Sequence, residues 1–167
     1  MTKNEIITFT HLKKQSMKQN LYIFNGYPSK KSFFVGVAKA RILCDTLKLR
    51  SIKMIVPSYA NMVYDQLADA ISEQYDSPFD EVLKKVSGNA YPFENCGLNI
   101  KSVGNFSAIY PYESVILIMY PIVDTYTKLK KEIANYPNVI MCVNPANYDE
   151  LQDVFSQFNI IENNELA

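Results

Sequence analysis

The chain contains no tryptophan and only one histidine, His11. A single histidine cannot form a histidine-rich metal site, and it argues against Ser-His or Cys-His catalysis, where the imidazole needs partners. The three cysteines form no CxxC pair. Cys44 and Cys142 lie in apolar patterns typical of core thiols, whereas Cys96 lies in a loop that exposes it.

The chain also lacks an excess of charge of either sign. Lysine plus arginine and aspartate plus glutamate each number 17, so the formal net charge is zero. This balance indicates no broad attraction to nucleic acid or to an anionic membrane, and it is compatible with self-association into a homo-oligomer. No apolar run approaches the ~20 residues that span a bilayer, and the N-terminus has no apolar signal core. We therefore expect a cytoplasmic protein.

Glycine is scarce as well, with five residues in 167. There is no GxGxxG motif, and the phosphate-loop pattern GxxxxGK[ST], counted from Gly26, would need glycine at Lys31 and lysine at Ser32. A Walker-type ATPase and a standard dinucleotide enzyme are both disfavoured. The sequence predicts no cofactor and no metal.

What the chain does have is an alternation of apolar runs and amphipathic stretches. The runs predict strands, of which Val115–Tyr120 is apolar throughout and is expected to be the central strand, buried on both faces. Strands alternating with helices predict right-handed crossovers and a mostly parallel sheet covered on both faces. The predicted strands are 21–24, 53–56, 115–120 and 139–143, and the predicted helices are 29–49, 61–76, 79–86, 124–136 and 148–158.

We predict a three-layer α/β sandwich with about five strands, Rossmann-like or flavodoxin-like. Gly104-Asn105 lies between two short β-like runs, 98–103 and 106–110, which predicts an antiparallel hairpin at one edge. Residues 1–20 are assigned to an N-terminal arm, 21–160 to a single domain and 161–167 to an acidic tail.

The stretch LYIFNGYPSKKS, residues 21–32, holds the strongest site signal. An apolar strand ends at Asn25-Gly26, and Ser29 is placed to cap a helix that begins with Lys30 and Lys31. A helix N-terminus offers unpaired N–H groups and partial positive charge to an anion. These five residues are predicted to bind an anionic group, and the alternative is a plain turn with a cap and solvated lysines.

Three further strand ends carry similar residues, in the segments VPSYAN, MYPIVD and VNPANYD. In a parallel sheet these loops meet at one rim, outside the carboxyl ends of the strands, where open α/β sheets bind ligands. They add Ser58, Asn61, Asp124 and Asn144 to the predicted site. Asp124 is the best candidate acid or base, although each of these residues also suits a helix cap.

Two functions remain open. The rim predicts a domain that binds a phosphorylated or nucleotide-like small molecule, with or without catalysis. Twelve tyrosines, several near loops or strand ends, predict instead a non-catalytic interaction or regulatory protein, such as an inhibitor or accessory subunit. The irregular stretch 87–97 is long enough to be functional or a plain crossover loop. The tyrosines near loops or strand ends are Tyr59, Tyr64, Tyr91, Tyr110, Tyr112 and Tyr120.

Overall fold

A computed structural model of the protein describes residues 18–58, 91–93 and 96–165. Within these ranges, no helix has the length and apolar character needed to cross a membrane. Short 3-10 turns occur at Val103–Asn105, Pro111–Glu113, Pro145–Asn147 and Asp149–Leu151. The strands and helices in chain order are β1 (Asn20–Asn25), α1 (Lys30–Leu47), β2 (Ser51–Val56), β3 (Tyr91–Phe93), β4 (Cys96–Ser102), β5 (Ser114–Met119), α2 (Val123–Ile133), β6 (Asn138–Val143), α3 (Gln152–Phe155) and β7 (Asn159–Glu165).

The strands form one open sheet in the order β3-β4-β2-β5-β6-β1-β7. All neighbours from β4 to β7 pair in parallel, and only β3 is antiparallel. The predicted α/β fold with a mostly parallel sheet is confirmed, although the sheet is larger than the expected five strands. If the six parallel strands are numbered along the chain, their order is 3-2-4-5-1-6. This differs from the 3-2-1-4-5-6 and 2-1-3-4-5 orders of the two common doubly wound folds.

The predicted central strand is confirmed. Strand β5 is the fourth of the seven strands, and every one of its residues is buried. Because successive side chains point to opposite faces, Leu117 lies in one core and Ile116 and Ile118 in the other. A strand covered on both sides has no solvent face, which explains why its sequence is apolar without alternation.

Helices cover both faces of the sheet and create two cores. Helix α1 packs on one face through Phe33, Val37, Ala40 and Cys44, as the helical spacing predicts. Leu47 has the same helical spacing but is 44% exposed, because it is the last residue of the helix. Helices α2 and α3 cover the opposite face, where their apolar residues meet the other side of β1, β5 and β6. The apolar residues of this second core on α2 and α3 are Tyr126, Leu129, Ile133, Val154 and Phe155.

The hairpin predicted at Gly104-Asn105 is wrong. Val103–Asn105 form a 3-10 turn, and no strand follows over 106–110. Tight two-residue hairpin turns need positive φ at glycine or asparagine, and Gly104 does not adopt it. The chain instead buries Phe106 in the second core as it crosses from β4 to β5. The antiparallel edge is formed by β3, inside the stretch 87–97 that was expected to be irregular.

The C-terminal part differs from the prediction in a similar way. The segment 161–167, predicted as an acidic tail, continues as strand β7 up to Glu165 and pairs with β1. Two isoleucines among polar residues gave a weak strand signal, because an edge strand needs little apolar surface. The last helix, predicted over 148–158, is reduced to a 3-10 turn and the single turn α3. The predictions for 1–17 and for the helices between 61 and 86 lie outside the described residues.

Candidate functional site

The loops that follow three neighbouring strands start side by side at one rim. Asn25 at the end of β1 pairs with Val143 at the end of β6, and Met119 at the end of β5 pairs with Cys142. This register places the segments that begin at Gly26, Tyr120 and Asn144 next to one another. The predicted convergence of these loops follows from the parallel pairing.

Strands β1 and β6 lie at a topological switch point. The segment after β1 leads into α1, which packs on the face that contains Phe24 and Ile140. The segment after β6 crosses β1 on the opposite face, where Leu151 and Phe155 are buried, before it returns as β7. Because the two connections leave to opposite sides, a crevice opens between them at the carboxyl ends of the strands. Such crevices are where open α/β sheets hold ligands.

A cleft of about 730 Å³ occupies this crevice. Four of the predicted residues line it: Asn25, Gly26, Ser29 and Lys31. The loop after β6 and strand β7 supply most of the remaining wall. The five lining residues that were not predicted are Tyr27, Pro145, Tyr148, Asp149 and Asn163.

The signals for these additional residues differ in strength. Tyr148 and Asp149 lie in the segment VNPANYD, which the sequence places at the rim, and only the choice of residue within it was missed. Asn163 lies on β7, in the segment expected to be a tail, so no pattern identified it. Its position follows from the pairing of β7 with β1, in which Asn163 is the partner of Ile23.

Three other predicted residues do not line the cleft. Asp124 is exposed in the first turn of α2 and forms an ion pair with Lys128 at 3.0 Å. Asn144 caps the following 3-10 turn, where its Oδ1 accepts from the Ala146 amide at 3.0 Å. Ser58 follows β2, which β5 and β6 separate from β1. Asn61 and the side chain of Lys30 lie outside the described part of the chain.

The wall on the α1 side is built by a reciprocal cap. The Ser29 hydroxyl accepts from the Ser32 amide at 3.1 Å, and the Ser32 hydroxyl accepts from the Ser29 amide at 3.2 Å. This arrangement confirms Ser29 as the N-cap and fixes the entry of the chain into the helix. The amides of the first two helical positions have no intrahelical partner by geometry, so the positive end of the helix lies at the cleft.

A buried polar cluster holds this first turn on the sheet. Tyr120, at the end of β5, places its hydroxyl in hydrogen-bonding contact with Ser32 Oγ and accepts from the Ser29 amide at 3.4 Å. Its φ of 53° lies in the left-handed region, which residues other than glycine rarely adopt and which is often found near functional sites. Burial raises the pKa of the neighbouring Cys142 thiol to about 12. Hydrogen bonds with Ser32 and Tyr120 lower this pKa, but the effect of burial is larger.

The opposite wall carries the carboxylate of Asp149 and a fixed polar chain. Asn163 Nδ2 donates to the Tyr148 hydroxyl at 2.7 Å, and Asn163 Oδ1 accepts from Asn25 Nδ2 at 3.4 Å. Tyr148 is held by Phe155, with ring centroids 5.4 Å apart. Within the described residues, no three His, Cys, Asp or Glu side chains are grouped to hold a metal ion. The described lining residues offer hydrogen bonds, the ammonium group of Lys31 and the carboxylate of Asp149 for binding a ligand.

Neither a scan of protein-family models nor a search of curated proteins finds a match to this chain.

Proposed function

We propose that this protein is an α/β domain that binds a phosphorylated or nucleotide-like small molecule in the cleft between the loops after β1 and β6. The observation that carries the proposal is the position of the cleft at the topological switch point, with the first turn of α1 as one wall. A volume of about 730 Å³ suits a ligand of nucleotide or sugar-phosphate size.

The chemistry of the α1 wall favours an anion. The free amides of the first helical turn, the partial positive charge of the helix end and the exposed ammonium group of Lys31 all act on the same side of the cleft. Gly26 lines the cleft and carries no side chain, so no Cβ keeps a ligand away from its backbone. A phosphate on the α1 side therefore finds both hydrogen-bond donors and charge.

Thermal-shift and calorimetric titrations with nucleotides and sugar phosphates test this proposal. Lys31→Ala should weaken binding of phosphate-bearing ligands about tenfold with little change in stability, since an exposed lysine contributes little to folding. The double variant Lys30→Ala/Lys31→Ala should weaken it at least as much. Lys130→Ala is the matched control, because Lys130 is exposed near the C-terminal end of α2, towards the amino ends of the strands, and does not line the cleft. Equal affinity in wild type and Lys31→Ala would contradict the proposal.

A second candidate function, protein interaction through a tyrosine-rich face, has one observation in its favour. Ile109, Tyr110 and Tyr112 are 52%, 71% and 69% exposed on the segment between β4 and β5. The Tyr136 hydroxyl anchors this segment, because it accepts from the Ile109 amide at 3.1 Å and donates to the Ile109 carbonyl at 3.2 Å. Apolar side chains displayed on a fixed segment are typical of interaction surfaces. Of the other loop tyrosines, Tyr120 is buried, and Tyr59 and Tyr64 lie outside the described residues.

Sedimentation analysis tests this second function for the case of a homo-oligomer. If the surface joins two copies, the wild-type protein should sediment as a dimer, and Tyr110→Ser/Tyr112→Ser should sediment as a monomer with unchanged stability. Identical sedimentation of the two proteins at all concentrations would exclude self-association through this surface.

A further inference from the structure

We propose that the ligand of this cleft is a singly phosphorylated polyol, with its phosphate on the α1 wall and its hydroxyl groups on the wall formed by the β6–β7 connection. The proposal rests on the proposed function and adds the chemical class of the ligand. It follows from the opposite polarity of the two walls.

Two side chains of opposite charge line the cleft. Lys31 and Asp149 both line the cleft, both are exposed, and they belong to opposite walls. Neither forms an ion pair with any residue in the described ranges. An unpaired carboxylate repels a second or third phosphate, so a ligand with a single phosphate fits the cleft better than a di- or triphosphate.

The wall formed by the β6–β7 connection offers hydrogen-bond acceptors. Asp149 lines the cleft there, and its carboxylate oxygens accept hydrogen bonds and donate none.

This carboxylate lies on the wall opposite Lys31. Phosphate oxygens are acceptors and gain nothing there, whereas hydroxyl groups can donate to the carboxylate. The Tyr148 hydroxyl, which already accepts from Asn163, keeps its own proton free to donate to a ligand oxygen. Hydroxyl groups serve as both donors and acceptors, so a polyol matches this wall as a phosphate matches the other.

Calorimetry with two phosphate esters of equal carbon number, ribose phosphate and pentyl phosphate, tests the proposal on the wild-type protein. Ribose phosphate should bind about tenfold more tightly, because only it carries hydroxyl groups. AMP in a third titration distinguishes the source of the polyol: tighter binding than ribose phosphate indicates a nucleotide, and equal or weaker binding a sugar phosphate. ATP should bind more weakly than AMP.

The variant Asp149→Asn separates this proposal from general phosphate binding. Its affinity for ribose phosphate should fall about tenfold, whereas its affinity for pentyl phosphate should stay equal or rise, since a repelling charge is lost. Asp153→Asn is the control, because Asp153 is exposed on α3 and does not line the cleft. Pentyl phosphate that binds wild type as tightly as ribose phosphate overturns the polyol proposal alone. If neither ester nor AMP binds wild type, the proposed function fails together with it.

Discussion

Tyr120→Phe is the substitution that links the fold to the candidate site most closely. It keeps the buried ring and removes the hydroxyl that contacts Ser32 Oγ and the Ser29 amide. Ser32 Oγ keeps its contacts to the Tyr27 carbonyl, at 3.0 Å, and to the Ser29 amide, so no buried group becomes wholly unsatisfied. We therefore expect a loss of about 1–2 kcal/mol in the free energy of unfolding, the value of a buried hydrogen bond rather than of an orphaned polar group.

The same substitution should also weaken ligand binding, because the hydroxyl fixes the first turn of α1 on the sheet. Urea denaturation measures the stability, and calorimetry with ribose phosphate measures the affinity, which should fall severalfold. Tyr126→Phe is the matched control. Tyr126 lies on α2, away from the cleft, and is buried to a similar extent. Its hydroxyl donates a hydrogen bond to Gln157 Oε1 at 3.1 Å.

The control separates positioning from simple destabilisation. Tyr126→Phe should lose similar stability and bind ribose phosphate as the wild type does. If Tyr120→Phe retains full affinity while its stability falls, the hydroxyl only stabilises the fold, and the argument that it orders the cleft wall is wrong.

Four further predictions concern the core and the N-terminal segment. Amide exchange should be slowest in β5 and β6, and Ile118→Asp should prevent folding because it buries an unpaired charge; rapid exchange across 115–119 would contradict the central position of β5. Burial raises the pKa of the Cys142 thiol from 9.0 to about 12. Between these two pH values the folded protein keeps the thiol proton, whereas the unfolded protein loses it. The stability contributed by this difference is therefore present below about pH 9 and is lost as the pH rises towards 12, and denaturation of Cys142→Ala across this range should show a smaller loss than wild type. A chain that starts at Lys18 should fold, since Gln19 still donates to the Ile133 and Tyr136 carbonyls at 2.7 and 2.8 Å; an insoluble product would show that residues 1–17 are integral.

Much of the fold could be predicted because burial determines residue type strongly in a parallel sheet. The apolar run at β5 and the strand-turn-cap pattern from Leu21 to Ser32 each have few structural alternatives, and both predictions are confirmed. The edges were missed, because β7 is held mainly by backbone pairing to β1 and has exposed isoleucines, which leaves little pattern in its sequence. Strand order was not predictable either, since it depends on which strands pair over long sequence separations.

The candidate site was predictable only on the α1 side. Asn25, Gly26, Ser29 and Lys31 are consecutive or nearly so, and local sequence signals identify turns and caps. The opposite wall combines Asp149 with Asn163, which are brought together by the insertion of β1 between β6 and β7. Asp124 and Asn144 have the same kind of local signal as Ser29, but their roles in the structure are an ion pair and a cap.

A nuclear magnetic resonance titration of the isotope-labelled protein with ribose phosphate would show directly whether the cleft binds a ligand. We expect the amide signals of the non-proline residues in 25–31 and 146–149 and of Asn163 to shift with one common binding curve. Those of Ile109, Tyr110 and Tyr112, near the amino end of β5, should not shift. Shifts confined to 109–112, or no saturable shift anywhere with ribose phosphate or AMP, would contradict the claim that the cleft between the β1 and β6 loops is a ligand-binding site.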